Sequence, residues 1–388
     1  AAINGDMWLM NNYHVRVEGN ESNYKDGYQY EANVTRAITI PRGFSMYGGE
    51  IICTTNMEQE TPFQGTFQSF GISSDGEALF GNIICHPIVR NNTRGGVATV
   101  DGINRLPADD APVMYTDKGY ASNYSLSDAY EVIIDCGYDY TVRSGETITG
   151  KVTAITKPGE TKYGMISNRI ILTARGDRTS LLSSYRVGDQ VSISVSITDE
   201  YGNTGKWQTV TDCVGGHMPI VIDGVSQNLS GYNYPTSIIG IKENGNVVML
   251  TSWGRQGSTY SYGLYISQLD EICEEMGIVT AFLLDGGGSA TMVCETDSGY
   301  ELTGRPCDSG NTERAVVNSV ILSVGPSKSG IDDTDITFEG NSGTLMRELS
   351  GTTYTEKNGV LTVTAADYRN PSFKLDLFGS SADEYKYM

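Results

Sequence analysis

Leu283-Leu284-Asp285-Gly286-Gly287-Gly288-Ser289-Ala290-Thr291-Met292-Val293 places one carboxylate where an apolar run gives way to three consecutive glycines. Just upstream, Thr280-Ala281-Phe282-Leu283-Leu284 has the composition of a buried strand. Glycine lacks a Cβ and reaches positive φ without strain, so a ligand can approach the N–H groups of Gly286, Gly287 and Gly288, and such amides form an anion-binding concavity. Asp285 then ends a rigid element, with Ser289 and Thr291 as hydroxyl donors and Met292-Val293-Cys294 returning as a second strand. Taken alone, the stretch also fits a hairpin loop without chemistry. Ahead of it, Leu269, Ile272, Cys273 and Met276 recur at the spacing of one helical face, Ser267 and Asp270 are spaced as a capping box, and Gly277 supplies the stop. The predicted unit is a capped helix, a buried strand and an exposed glycine turn.

The 388 residues exceed what one hydrophobic core usually organises, so two domains are expected. With 46 glycines, 24 tyrosines and 19% charged residues, the composition is that of a strand-rich, loop-rich globular protein. A net charge of −20 opposes nucleic acid and anionic membrane surfaces, whereas saccharides fit. No apolar run approaches the roughly 20 residues that span a bilayer, and no leader segment is evident. The seven cysteines show neither a CxxC pair nor zinc-ligand spacing; Cys273 reads as core, and Cys294 and Cys307 are spaced to face each other after the glycine turn. Sequons occur at Asn20, Asn33, Asn91, Asn123 and Asn228.

Short apolar runs at Ala37–Ile40, Tyr130–Ile134, Arg169–Leu172 and Val191–Ile197 read as strands. The segment around residues 147–200 reads as a β-rich lobe, residues 326–330 as a linker, and 331–388 as the start of a β-sandwich-like accessory module, with period-two runs at 359–365 and 372–378. Asp332, Asp333, Asp335 and Glu339 are compatible with calcium but lack the EF-hand pattern, and a solvated acidic linker end is the simpler account.

With its preceding helix, LDGGGSATM resembles the signature of the phosphodiester glycosidase family, known for removing N-acetylglucosamine from its phosphodiester link to mannose 6-phosphate. Other segments agree in order. Ala2-Ile3-Asn4-Gly5-Asp6-Met7-Trp8 resembles the opening strand, and Phe70-Gly71-Ile72 with Asp75-Gly76 a mid-domain strand and turn. Gly102-Ile103-Asn104-Arg105 with Tyr115-Thr116 resembles a later pair, and Val214-Gly215-Gly216 followed by Val221-Ile222-Asp223-Gly224 another. Glu313-Arg314-Ala315-Val316-Val317-Asn318 resembles the closing motif. The resemblance covers residues 1–325 and is most specific in the last third. Two positions depart from the pattern. Where the family carries an arginine in a "PRT" stretch, this chain has Pro235-Thr236-Ser237, and Thr236 cannot offer the bidentate fork a guanidinium gives a phosphate; Trp253-Gly254-Arg255 stands for "DG" before an arginine. A neutral or differently charged glycoside is therefore also admissible.

Glycoside cleavage uses a proton donor and a base or nucleophile, usually two carboxyls whose pKa values are pushed apart. Asp285 is the first candidate; the resemblance points to Asp6 as the second, with Glu313 as substitute. It further implies substrate contacts from Asn4, Gly215, Gly216, His217, Arg255, Gly286, Gly287, Gly288, Ser289 and Thr291, and from Arg314 as a clamp on phosphate or carboxylate. An ordinary turn role for Asp6 and a surface pair for Glu313-Arg314 are the plainer alternatives. For His217, a solvent-facing loop position is simpler than acid–base work. No nucleophile elbow frames Ser289, and the glycines match neither a dinucleotide nor a Walker loop.

The expectation is an α+β fold: a strand-rich, mixed-sheet catalytic domain with few helices, followed by a partial β-sandwich. Its expected activity is a glycoside hydrolase acting on a sugar-1-phosphodiester or related bond in extracellular glycans, secreted or attached to a cell surface. The sequence requires no cofactor, leaves any metal unassigned, and implies a carbohydrate or glycosyl-phosphate partner rather than nucleic acid. A non-catalytic glycan-binding protein, or a structural role in a surface or phage assembly, is the rival.

Overall fold

A computed structural model describes residues 1–7, 24–25, 41–55, 68–105, 111–118, 128–160, 162–199, 202, 204–257 and 260–322, and beyond these 344–345, 352–357, 360–365 and 373–374. Among the described residues the architecture is mostly β, with one α-helix, Leu269–Met276, and several 3-10 turns.

The predicted buried strand runs Ile278–Leu283 and is the middle of a five-stranded sheet ordered Val225–Ser226, Pro219–Ile222, Ile278–Leu283, Thr236–Lys242, Val247–Ser252. Its side chains alternate between two cores. Ala281 and Leu283 join Leu269 and Cys273 of the helix, while Phe282 and Leu284 join Ile3, Phe70, Val214 and Ile239. An apolar strand covered on both faces reads as a continuous hydrophobic run. Phe282 meets the edge of Phe80 at 5.4 Å, and Phe80 lies 5.1 Å from Phe70. The Phe282 ring fills the space a Cβ on Gly216 would need.

The helix ends as its sequence predicts, on Gly277 in the left-handed conformation at φ 68°. Its start differs. A 3-10 turn, Ile266–Gln268, precedes it, and the Tyr265 N–H donates to Gln268 Oε1 at 2.9 Å. Asp270 instead accepts from Ser226 Oγ at 2.6 Å, so the box expected from Ser267 and Asp270 does not form.

The core face carrying Phe282 is covered by a second five-stranded sheet: Glu50–Cys53, Ser45–Tyr47, Val210–Gly216, Gln68–Ser73, Ala78–Gly81. Strands of the segment read as a β-rich lobe, Thr147–Thr156, Arg169–Ala174 and Gln190–Asp199, do not stand apart. They share an eight-stranded sheet with Ile83–Asn91 and Tyr130–Asp135. Both of its faces are apolar, Ile170 and Leu172 lying in one core and Ile171 in another, so these strands need partners from outside the segment.

The strand Ala2–Asn4 lies between Met292–Thr296 and Ser319–Ile321, with Ala2 opposite both Val293 and Ile321. This pairing carries the amino-terminal acid to the glycine turn. All seven cysteines are free. Cys294 sits opposite Glu301 in its ladder, and Cys307 lies past the end of that ladder. Asn91 is buried, its amide donating to Asp189 at 2.7 Å, so that sequon offers no glycosylation site.

Residues 324–388 form a separate unit. Within it Thr352–Lys357 pairs with Val360–Ala365, and Thr344–Leu345 with Phe373–Lys374. The strand expected at 37–40, the acidic cluster at 332–339 and the sequons at Asn20, Asn33 and Asn123 lie outside the described residues. No helix among the described residues is long and apolar enough to cross a membrane.

Candidate active site

Asp285 follows the central strand and is half-buried. Its backbone is fixed from the amino-terminal strand: the Asp285 N–H donates to Gly5 O at 2.9 Å, and Asn4 Nδ2 donates to Asp285 O at 2.7 Å. Asn4 Oδ1 accepts from Ser237 Oγ at 2.6 Å and from the Thr291 N–H at 3.0 Å. Asn4 is therefore a buried cross-brace among three strands, with its amide engaged inside the protein. One step along, the Asp6 N–H donates to Asn318 Oδ1 at 2.8 Å, so the opening and closing motifs meet at the site.

The Asp6 side chain is buried, at 1% exposure. Its Oδ2 accepts from the Gly43 N–H, and its Oδ1 is buried without a hydrogen-bond partner. Two glycines make room for it. A Cβ on Gly43 would lie 2.9 Å from Asp6 Oδ2, and one on Gly215 2.8 Å from the same oxygen. Burial pushes the Asp6 carboxyl up to about 7, helped by the Asp285 charge and opposed by the Gly43 N–H, then the Met7 N–H, and least by Arg42. Asp285 is also raised by burial, against the neighbouring Ser289 hydroxyl, the Gly286 N–H, Arg314 and Arg42. Both carboxyls thus resist ionisation, and the Asp285 charge adds to the rise at Asp6.

The glycine turn is not a bare cradle. The Gly286 N–H donates to Asp285 Oδ1 at 2.9 Å, the Gly287 N–H to Pro235 O at 2.8 Å, and the Ser289 N–H to Gly286 O at 3.2 Å. The space opened by the missing Cβ atoms is taken by side chains: the Tyr234 ring against Gly286, the Arg255 guanidinium against Gly287, and Arg314 with Asp308 against Gly288. Only Gly287 has a positive φ, 63°. Positive charge thus reaches the turn from Arg255 and Arg314. Arg255 itself is held at φ 59°, in the left-handed region, and is exposed. Arg314 donates in a bidentate fork to Asp308, with both bonds at 2.9 Å.

Three further candidates fall as follows. Glu313 is exposed, and its Oε1 accepts from Thr291 Oγ1 at 2.6 Å; its contact is with Thr291, not with either aspartate. Gly216 packs under Phe282. His217, expected to face solvent, is 5% exposed, because its N–H joins Leu283 O at 2.9 Å in extension of the strand pairing. Burial lowers its imidazole to about 4, with Arg42 acting in the same direction, so the ring is neutral at physiological pH.

Arg42 escaped the sequence reading. Its backbone N–H donates to Met7 O at 2.8 Å, and its charge acts on Asp6, Asp285 and His217 together. Its Nε is buried without a hydrogen-bond partner. The signal was Pro41-Arg42-Gly43, a proline–arginine pair remote from the stretch where an arginine was sought. Tyr234 was missed as well, for want of any sequence mark linking it to Gly286. Among the described residues no group of three His, Cys, Asp or Glu side chains is placed to hold a metal ion.

Residues 144–323 match the phosphodiester glycosidase family. The similarity covers just under half of the chain. The matching segment contains Gly215, His217, Arg255, Asp285 and Arg314, whereas Asp6, Arg42 and Gly43 precede it. Among solved structures, a Burkholderia pseudomallei protein described as exported is similar with a TM-score of 0.58 and 15% identity, over 82% of this chain and 64% of its own. A hypothetical protein from Synechocystis is similar with a TM-score of 0.51 and 17% identity, over 75% of this chain and 46% of its own. The chain spans less than two thirds of either, and both likenesses are of fold. The zebrafish N-acetylglucosamine-1-phosphodiester alpha-N-acetylglucosaminidase catalytic domain, auto-inhibited by its pro-peptide, aligns with a TM-score of 0.23 and 11% identity over 68% of this chain and 85% of its own, too loosely to match residues. No curated protein matches the chain.

Proposed function

We propose that the protein is an extracellular glycoside hydrolase that cleaves the bond between an anomeric carbon and a phosphodiester or related leaving group. The observation that carries this is that Asp6 and Asp285, both raised by burial, lie near Arg42, with Arg255 and Arg314 against the glycine turn. In hydrolysis, water adds to the anomeric carbon, the bond to the leaving oxygen breaks, and a proton moves from the water side to that oxygen. Asp285, the solvent-reached carboxyl, is the group placed to touch the reacting atoms. Asp6, behind it, is poised near neutrality to hold or return a proton. The three guanidinium groups supply the positive charge that the Gly286 and Gly287 amides, engaged internally, do not.

Asp285→Asn removes the exchangeable proton with little change in volume. Release of sugar from a panel of glycosyl phosphodiesters should fall by three orders of magnitude or more, with Tm nearly unchanged, consistent with acid–base contributions of about 10²–10⁴. Full turnover in that variant overturns the assignment. Two features favour a second reading, a glycan-binding protein without turnover: the Arg314 fork already closed on Asp308, and Thr236 where the family pattern has arginine. Binding to glycans with no product from wild type on any member of the panel would establish that reading instead.

A further inference from the structure

Residues 224–269 contain one acidic side chain, Glu243, in a chain with 47, and they contain five of its 24 tyrosines. Four of these tyrosines are unusually open: Tyr232 at 87%, Tyr262 at 62%, Tyr265 at 51% and Tyr260 at 50% exposure. The fifth, Tyr234, is the ring against Gly286.

The structure ties this tyrosine-rich segment to the glycine turn by close backbone contact. A Cβ on Gly286 would lie 2.7 Å from Pro235 O, one on Gly263 2.8 Å from the Tyr234 carbonyl carbon, and one on Gly254 2.7 Å from Gly263 Cα. Tyr234 and Leu264 form a β-bridge, the Arg255 N–H reaches Tyr262 O at 3.4 Å, and Asn233 Nδ2 donates to the same oxygen at 3.3 Å. On the far side, Arg305 stacks over Tyr260 at 4.4 Å, and Gln256 Nε2 donates to the carbonyls of Arg305 and Pro306, each at 2.8 Å. The backbone that carries these tyrosines is therefore braced against the strand end beside the Gly286 turn.

We propose that this segment is a stacking platform for an oligosaccharide chain, so that the substrate is an extended glycan held by several sugar units beyond the bond at Asp285. The inference rests on the reading of that site as one that takes a glycosyl bond. Tyrosine suits the task. Its ring covers the apolar C–H face of a pyranose, its hydroxyl remains wet, and it loses little rotamer freedom on binding. The segment's low acid content leaves little negative charge of its own to repel a ligand carrying phosphate, in a chain of net charge −20. Tyr260 is stacked by Arg305, whereas Tyr232 and Tyr262, the two most open rings of the segment, stand well exposed.

The test measures affinities of the full chain, carrying Asp285→Asn so that cleavage does not deplete the probe. The probes are hexasaccharides of N-acetylglucosamine, mannose and glucose, with each monosaccharide as control. At least one hexasaccharide should bind more tightly than its monosaccharide. The double variant Tyr232→Ala/Tyr262→Ala should cut that preference by about tenfold, as loss of two aromatic contacts implies, while Tyr232→Phe/Tyr262→Phe restores it. Both positions are surface rings, so folding is not at stake. No preference for any hexasaccharide, or a preference that the alanine pair changes by less than about twofold, overturns the platform. Tyrosine-dependent binding without turnover by wild type would support the platform and defeat the hydrolase reading, so the two fail separately.

Discussion

Raising the pH from 5 to 8 should weaken the wild-type fold in a way that Asp6→Asn abolishes. The Asp6 carboxyl moves from 3.8 in the unfolded chain to about 7 in the folded protein, because burial disfavours its charge. The folded state binds that proton more tightly than the unfolded state does. The associated stability is therefore complete at low pH, falls as pH rises past the unfolded value, and is lost once pH passes the folded value. A shift of about three units corresponds to about 4 kcal/mol, of which roughly 2.5 kcal/mol falls between pH 5 and 8. In a protein of this size that is a fall of roughly 5 °C in Tm. Asp285 shifts in the same direction and His217, lowered to about 4, in the opposite one below its unfolded 6.5. Both groups persist in the variant, so the difference between the two proteins reports Asp6 together with its interaction with Asp285. Asparagine keeps the volume, and its carbonyl can still accept from the Gly43 N–H. Its amide nitrogen takes the place of Oδ1, which has no partner, at a cost of about 1–3 kcal/mol that does not vary with pH. Thermal unfolding of both proteins across pH 5–8 reads the effect. A gap between the two Tm curves that stays constant over that range refutes a proton held on Asp6.

Arg42→Met removes a positive charge that lowers both carboxyls, so both should rise further. The acidic limb of the activity profile moves to higher pH, and kcat/KM for an anionic diester falls about tenfold or more relative to a neutral glycoside. Gly216→Ala drives a methyl into the Phe282 ring and should lower the urea midpoint by the equivalent of about 1–3 kcal/mol or more. Asn4→Ala strips partners from Asp285 O, Ser237 Oγ and the Thr291 N–H, and should cost about 3 kcal/mol or more in chemical denaturation while lowering turnover through loss of Asp285 placement.

The parts of the fold legible in the sequence were those written locally. The run into Asp285 is apolar at consecutive positions because both faces of its strand are covered, and Gly277 stops the helix at a positive φ that other residues resist. Long-range pairing left no such mark. Nothing local in residues 147–200 says that the strands need Ile83–Asn91 and Tyr130–Asp135 beside them; only burial on both faces does, and that is visible in the assembled sheet. The site divides in the same way. Asp285 and Asp6 stand in recognisable local patterns, whereas Arg42 reaches them through a bond from its own N–H to Met7 O and so belongs to no motif. His217 follows two glycines and looks like a loop residue, yet the strand pairing continues through it and buries the ring.

The glycine triplet itself changes meaning once its neighbours are in place. Amides of a ligand-binding loop point outward and lack partners, but those of Gly286 and Gly287 are already engaged, by Asp285 Oδ1 and Pro235 O. What the missing Cβ atoms admit is Tyr234, Arg255 and Arg314, pressed on the turn from three separate segments. The positive charge at the turn therefore comes from side chains rather than from the Gly286 and Gly287 amides. Thr236, next to Pro235, offers no guanidinium, while Arg42 brings one to the same carboxyls from a different part of the chain. Positive charge near the carboxyls thus comes from separate segments of the chain. The Asp6–Asp285 pair is fixed by Asn4 and Asn318 through backbone contacts.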